Sequence, residues 1–300
     1  MNALDLFDEY VQDKRLQQVS PHTIRHYQDT VGLFLRWCKG QVGCDLFDID
    51  GLQRWAKRFL HAQIERGLRP YTIHTYGRGI GNWFAWCVQA GYLEKPLRFR
   101  VPPAPKSHII PLETEYLRSI LLLLSEDKSL VGLRDYCIVR CFCETGMRLS
   151  EMAGVRRDDL DLSDGSIRVI GKGDKYRFCY ISERTTGPLR AYLGMVDALE
   201  TEHQVVWITT WRKGAGHPLG TNGIRNILSK VRKRVNYEGK LSPHVLRHTF
   251  AIMYLENGGD ALSLQQAMGH SKIETTTNYV NYSKARLKKT IQRYNPGNSL

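Results

Sequence analysis

The chain has 300 residues, 42% of them apolar, and a formal net charge of +13 at neutral pH. That length suggests two domains. The longest strongly aliphatic run, Ile120 to Leu124, is far too short to cross a membrane, and the acidic start Met1-Asn2-Ala3-Leu4-Asp5 is unlike a secretory leader, so no membrane association and a cytoplasmic location are expected. The seven cysteines are odd in number and lack zinc-like spacing with histidines, so reduced core thiols, no metal and no cofactor are expected.

Residues 1–100 read as helical throughout. Leu4, Phe7, Tyr10 and Val11 recur at helical spacing. Ser20-Pro21 starts a second helix, whose face carries Ile24, Tyr27, Val31, Phe34, Leu35 and Cys38. A third helix is expected over about Ile49 to Glu65 and a fourth from near Thr72 to Gly91. The second and fourth share residues at a fixed offset of 49, as in Pro21 and Pro70, Tyr27 and Tyr76, and Trp37 and Trp86, which implies a helical pair with similar packing needs. Arg25, Arg69 and Arg78 on this pair are candidate DNA-phosphate contacts, with plain surface charge as the alternative.

Four prolines between Arg100 and Pro111 make residues 101–111 a stiff linker. Beyond it, helices are expected near 113–125, 130–144, from Arg148, and near 185–200, 221–235, 243–256 and 260–268. A β-hairpin pairs Ser166 to Ile170 with Tyr176 to Ile181. The fold class is therefore mainly α with a small β-sheet, the first domain spanning 1–100 and the second 112–300. Residues 211–240 hold eight basic residues against Glu238 alone, which favours phosphate contact by Arg225, Lys230 and Lys233 over a merely solvated helix face. Lys284, Arg286, Lys288, Lys289 and Arg293, with Leu287 and Ile291, form a basic amphipathic tail within about 284–300.

Four places in the second domain carry polar residues that packing does not explain. Arg148 opens a helix after the Thr145-Gly146 stop, and Glu151 three residues on can hold its guanidinium; a phosphate ligand and a structural ion pair both fit. Lys172 lies between two glycines at the hairpin tip, either as a solvated turn residue or as a lysine that enters a groove. Ser242-Pro243 caps a helix on which His244 and Arg247 share a face near the N-terminus, with His248 one residue off it. Ser271 and Glu274 read as a capping box, with His270 before that helix and Tyr279 two turns along it. Nothing apolar surrounds Tyr279 at helical spacing, so core burial is not expected.

Together these supply two arginines, a lysine, two histidines and a tyrosine. A phosphodiester attacked by oxygen passes through a pentacoordinate phosphorus whose extra charge guanidinium and imidazole groups stabilise. A phenol needs cationic neighbours or a base to lose its proton. No Walker-type phosphate loop is present.

The set resembles the tyrosine recombinase (phage integrase) family, and in length and layout the Xer-type recombinases. The resemblance rests on Thr-Gly-Met-Arg-Leu-Ser-Glu-Met, Gly-Lys-Gly-Asp-Lys-Tyr-Arg, Ser-Pro-His-Val-Leu-Arg-His-Thr-Phe-Ala and Met-Gly-His-Ser-Lys-Ile-Glu-Thr-Thr-Thr-Asn-Tyr, in that order. It implies a four-helix, SAM-like core-binding domain followed by an α+β catalytic domain, the two clamping DNA. It further implies Tyr279 as nucleophile, Arg148 and Arg247 on the scissile phosphate, and Lys172 as acid for the leaving 5′ hydroxyl. His244 would accept the tyrosine proton, His270 would stabilise the transition state and Glu151 would support Arg148. Implied too are a duplex recombination site with inverted half-sites, a tetramer held through the tail, a 3′-phosphotyrosine and a Holliday junction, with no metal or ATP. Whether a partner recombinase or activator takes part stays open. Met268 stands where the family usually has leucine, and Tyr282 is a second candidate nucleophile that the spacing from His270 disfavours. Because the nucleophile precedes the docking tail, Tyr279 is expected to be aligned only in the assembly. The competing readings are a DNA-binding or architectural protein without catalysis, and a metal-dependent nuclease using Asp158, Asp159, Asp161 and Asp164, a group that otherwise reads as a solvated turn.

Overall fold

The computed structural model describes residues 2–95, 101, 103, 110–171, 176–199, 203–210, 216–269 and 279. The chain divides into two compact units, 1–107 and 108–300.

In the first unit, α1 (Ala3–Leu16) starts at Asn2, whose side chain accepts from the Leu4 amide while Asp5 reaches back to the Asn2 amide. Ser20 caps α2 (Pro21–Tyr27) by accepting from the Thr23 amide. The single helix expected from the sequence is interrupted: a π-helical turn (Gln28–Gly32) separates α2 from α3 (Leu33–Lys39). Thr30 Oγ1, inside that turn, donates to the His26 carbonyl at 2.8 Å. The unit continues with α4 (Leu52–Glu65) and α5 (Pro70–Gln89), around a core in which Phe34, Phe59, Trp83 and Phe84 are fully buried. The 49-residue offset acquires a structural meaning at Thr30 and Gly79, which are equivalent positions and pack against each other. A Cβ on Gly79 would lie 2.2 Å from Thr30 Oγ1, so the two related helices meet at corresponding points, one widened by the π turn and the other stripped to glycine.

The second unit is built around α7 (Leu130–Thr145), with α6 (Thr114–Glu126), α9 (Glu183–Asp197) and α11 (Pro243–Glu256) packed on it. Leu133, Cys137, Ile138, Val139, Cys141 and Phe142 bury α7 on several sides, as expected for a central helix. After it come α8 (Leu149–Ala153) and a three-stranded antiparallel sheet in the order β1 (Leu160–Asp161), β2 (Ser166–Ile170), β3 (Tyr176–Tyr180). The expected hairpin forms, with Ser166 opposite Tyr180 and Ile170 opposite Tyr176. The third strand, β1, is an addition to the sequence reading, and Asp159 departs from the account of the acidic group before the hairpin. Asp161 pairs with Ser166 in the sheet, and Asp159 forms a salt bridge with Arg168 at 2.9 Å. The Asp159 side chain is 8% exposed in that bridge, whereas Asp158, Asp161 and Asp164 are exposed, in keeping with a solvated turn. The remaining helices are α10 (Thr221–Arg234) and α12 (Ala261–Met268). All seven cysteines are free thiols, and among the described residues no helix is long and apolar enough to cross a membrane.

Candidate active site

The site gathers at the C-terminal end of α12. Asp260 caps its start by accepting from the Leu262 and Ser263 amides. Gly269 closes its end in the left-handed region at φ 62°, a conformation that suits glycine. A helix leaves its last carbonyls without partners and ends in partial negative charge. Here three guanidinium groups answer three consecutive carbonyls: Arg177 Nε donates to Ala267 at 2.8 Å, Arg247 Nη2 to Met268 at 2.8 Å, and Arg148 Nη2 to Gly269 at 2.8 Å.

Arg148 is the N-cap residue of α8, placed there because Gly146, at φ 59°, ends α7. Glu151, on the first turn of α8, turns back to it. One carboxylate oxygen accepts from the Arg148 amide at 2.7 Å and the other from Arg148 Nη1 at 2.8 Å. Arg177, on β3, binds the same two oxygens from the other side at 2.9 and 2.8 Å. The Glu151 side chain is only 4% exposed. Burial alone would raise its pKa, but the hydrogen bonds from Arg177, then those from Arg148, bring it down from 4.5 to about 2. Arg148 itself keeps 41% of its side chain exposed, so it is held from behind and open in front.

α11 brings the remaining groups. Ser242 accepts from the Val245 amide and Pro243 occupies the first helical position. Arg247 is buried and also donates to the Gly146 carbonyl. Burial and then the charge of Arg148 push its pKa down to about 10, which leaves it cationic at neutral pH. The His244 ring is partly shielded from water, and that shielding, followed by Arg247 and Lys240, lowers its pKa below 6.5. It is therefore neutral at pH 7.

Tyr279 corrects the sequence reading. It is 3% exposed and packs in an apolar cluster with Ala251, Ile252, Leu255, Leu264 and Met268. These partners lie on α11 and α12, so helical spacing around Tyr279 could not reveal them. Its hydroxyl shares a 2.6 Å hydrogen bond with His248 Nδ1. Burial raises the phenol pKa, and Arg247 opposes the rise.

A family model, the phage integrase family, matches residues 112–286. The chain belongs to that family. This integrase-family chain is 33% identical to tyrosine recombinase XerC of Listeria innocua, across 97% of this chain and 96% of the relative. It is 28% identical to tyrosine recombinase XerD of the same species, across 97% and 99%. Among solved structures, it is similar to the Tn1549 transposon integrase in complex with transposon right end DNA, with a TM-score of 0.75, 20% identity, and coverage of 98% and 99%.

Of the residues singled out in the sequence, the integrase-family fold brings Arg148, Glu151 and Arg247 together at the α12 end, with Tyr279 near Arg247. His244 stands one turn from His248, their rings 4.2 Å apart. Lys172, His270, the Ser271–Glu274 capping box and the basic tail lie outside the described residues. Arg25, Arg69, Arg78, Arg225, Lys230 and Lys233 are all exposed, the first three on or beside α2 and α5 and the others on α10. Sequence reasoning misses two residues. His248 lies one residue off the face of Arg247, yet four-residue spacing puts it on the face of His244. Arg177 lies 26 residues from Glu151 in a strand, and its only local signal is its place inside the Gly-Lys-Gly-Asp-Lys-Tyr-Arg motif.

Proposed function

We propose that the protein is a site-specific DNA recombinase in which Tyr279 attacks the scissile phosphate, forming a 3′-phosphotyrosine and releasing a 5′ hydroxyl. The observation that carries this reading is the convergence of Arg148 and Arg247 on adjacent carbonyls at the end of α12, next to a buried tyrosine. Arg148 and Arg247 bind the nonbridging phosphate oxygens and stabilise the charge that develops on them. His244, neutral at pH 7, is the final acceptor of the tyrosine proton, with His248, which shares the hydroxyl's hydrogen bond, between them. His270 adds a donor to the phosphate, and Lys172 protonates the leaving oxygen. The bond energy stays in the phosphotyrosine, and the second strand exchange resolves a Holliday junction.

The integrase-family match and the full-length likeness to Xer recombinases support recombination as the task. We assign residues 1–100 to core binding, 101–111 to the linker and 112–300 to catalysis, with DNA phosphates met by Arg25, Arg69, Arg78, Arg225, Lys230 and Lys233. Two inverted half-sites then recruit a tetramer in the cytoplasm, linked through the C-terminal tail. The test uses half-sites located by footprinting and built into a nicked suicide duplex. Tyr279→Phe binds this DNA and forms no covalent adduct, whereas Tyr282→Phe forms it. The reverse pattern refutes the assignment, and absence of any adduct with the unmutated protein favours a DNA-binding protein without catalysis.

A further inference from the structure

Arg148 sits under two demands that conflict. As a phosphate ligand it must be held rigid, and Glu151 does that with two of its acceptor sites. As a source of positive charge it must not be neutralised, and a carboxylate bound to one guanidinium makes a pair with no net charge. Arg177 occupies the other two acceptor sites of Glu151 at 2.8 and 2.9 Å. We infer that Arg177 is a positioning residue that cancels the charge of Glu151, so that Glu151 orients Arg148 without weakening its hold on the scissile phosphate. The inference rests on the recombinase reading above.

The charges support this. Arg148, Arg177 and Arg247 against Glu151 leave two net positive charges around the α12 end; without Arg177 one remains. Arg177 is held on both sides, with Nη1 and Nη2 donating to Glu151 and Nε to the Ala267 carbonyl. Its side chain is 13% exposed against 41% for Arg148. Of the two guanidiniums on one carboxylate, one is open to solvent and the other is enclosed. A purely structural brace would not need to be cationic; a charge-balancing one must be.

The experiment measures single-turnover adduct formation on the nicked suicide duplex at saturating protein. Arg177→Met and Arg177→Gln are expected to slow cleavage roughly 10- to 100-fold, less than loss of a direct transition-state donor. DNA affinity at fixed salt should change little, because many other cations meet the phosphates. The deciding variant is Arg177→Met combined with Glu151→Gln. It removes both buried charges and restores the net charge of the site, so it should cleave at least about fivefold faster than Arg177→Met alone. If the double variant is as slow as or slower than the single one, Arg177 is only a brace and the inference is overturned. The same holds if Arg177→Met cleaves at the unmutated rate. If Arg177→Met does not fold at the assay temperature, the comparison passes to Arg177→Gln against Arg177→Gln with Glu151→Gln, with the same expected order. An unmutated protein that forms no adduct removes the recombinase reading and this inference with it, which separates that failure from a failure of the inference alone.

Discussion

Glu151 makes stability depend on acid in a way that can be worked out. Its pKa falls from 4.5 to about 2 on folding. A group with a depressed folded pKa contributes stability above its unfolded pKa and loses it as pH falls through the folded value. A shift of about 2.5 units corresponds to about 3 kcal/mol at 1.36 kcal/mol per unit, all present at pH 7. At pH 3 the unfolded carboxyl is almost fully protonated and the folded one is still ionised, so about 2 kcal/mol of that contribution is gone. Glu151→Gln cannot titrate and serves as the reference. Urea unfolding of both proteins, followed by far-UV circular dichroism, should show the unmutated protein more stable at pH 7 and the gap between them about 2 kcal/mol smaller at pH 3. Every other carboxyl group is common to both proteins and cancels. A gap that stays constant across this range refutes the geometry of one carboxylate shared between Arg148 and Arg177.

Two further outcomes are expected. Because the His244 pKa is lowered below 6.5, the acid limb of the cleavage rate should have its midpoint below that value, with His244→Ala removing the limb; a midpoint above pH 6.5 contradicts His244 as the proton acceptor. Gly146→Ala forces a side chain into φ 59° and places its Cβ 2.4 Å from the Phe250 ring, so about 3 kcal/mol of stability should be lost by urea unfolding. Cleavage should fall with it, since the Gly146 carbonyl holds Arg247, and an unchanged unfolding midpoint contradicts this packing.

Features that depend on residues close in sequence are legible in the sequence itself. Ser20-Pro21, Ser242-Pro243 and the Gly146 stop announce helix ends, because caps and left-handed glycines act within one turn. The pairing of Arg148 with Glu151 follows from three-residue spacing. What stays hidden depends on distant parts of the chain. The burial of Tyr279 is supplied by α11 and α12, the second partner of Glu151 by a strand, and the π turn at Gln28–Gly32 by the close approach of α5 at Gly79. The strand β1 is two residues long and too short to carry an alternating pattern. The His248 contact is within reach of sequence reasoning, since its four-residue spacing from His244 defines a shared face.

With Tyr279 as the nucleophile proposed above, its place in an apolar cluster gives the protein latency. Returning the Tyr279 ring to water forfeits about 2 kcal/mol of burial, so a solitary chain offers its hydroxyl in roughly 3% of molecules. Under that proposal, stray phosphates are mostly met by a disarmed protein. Under the proposed assembly, contacts between chains on a correct site supply the missing energy, and accidental nicks become rare by the same factor.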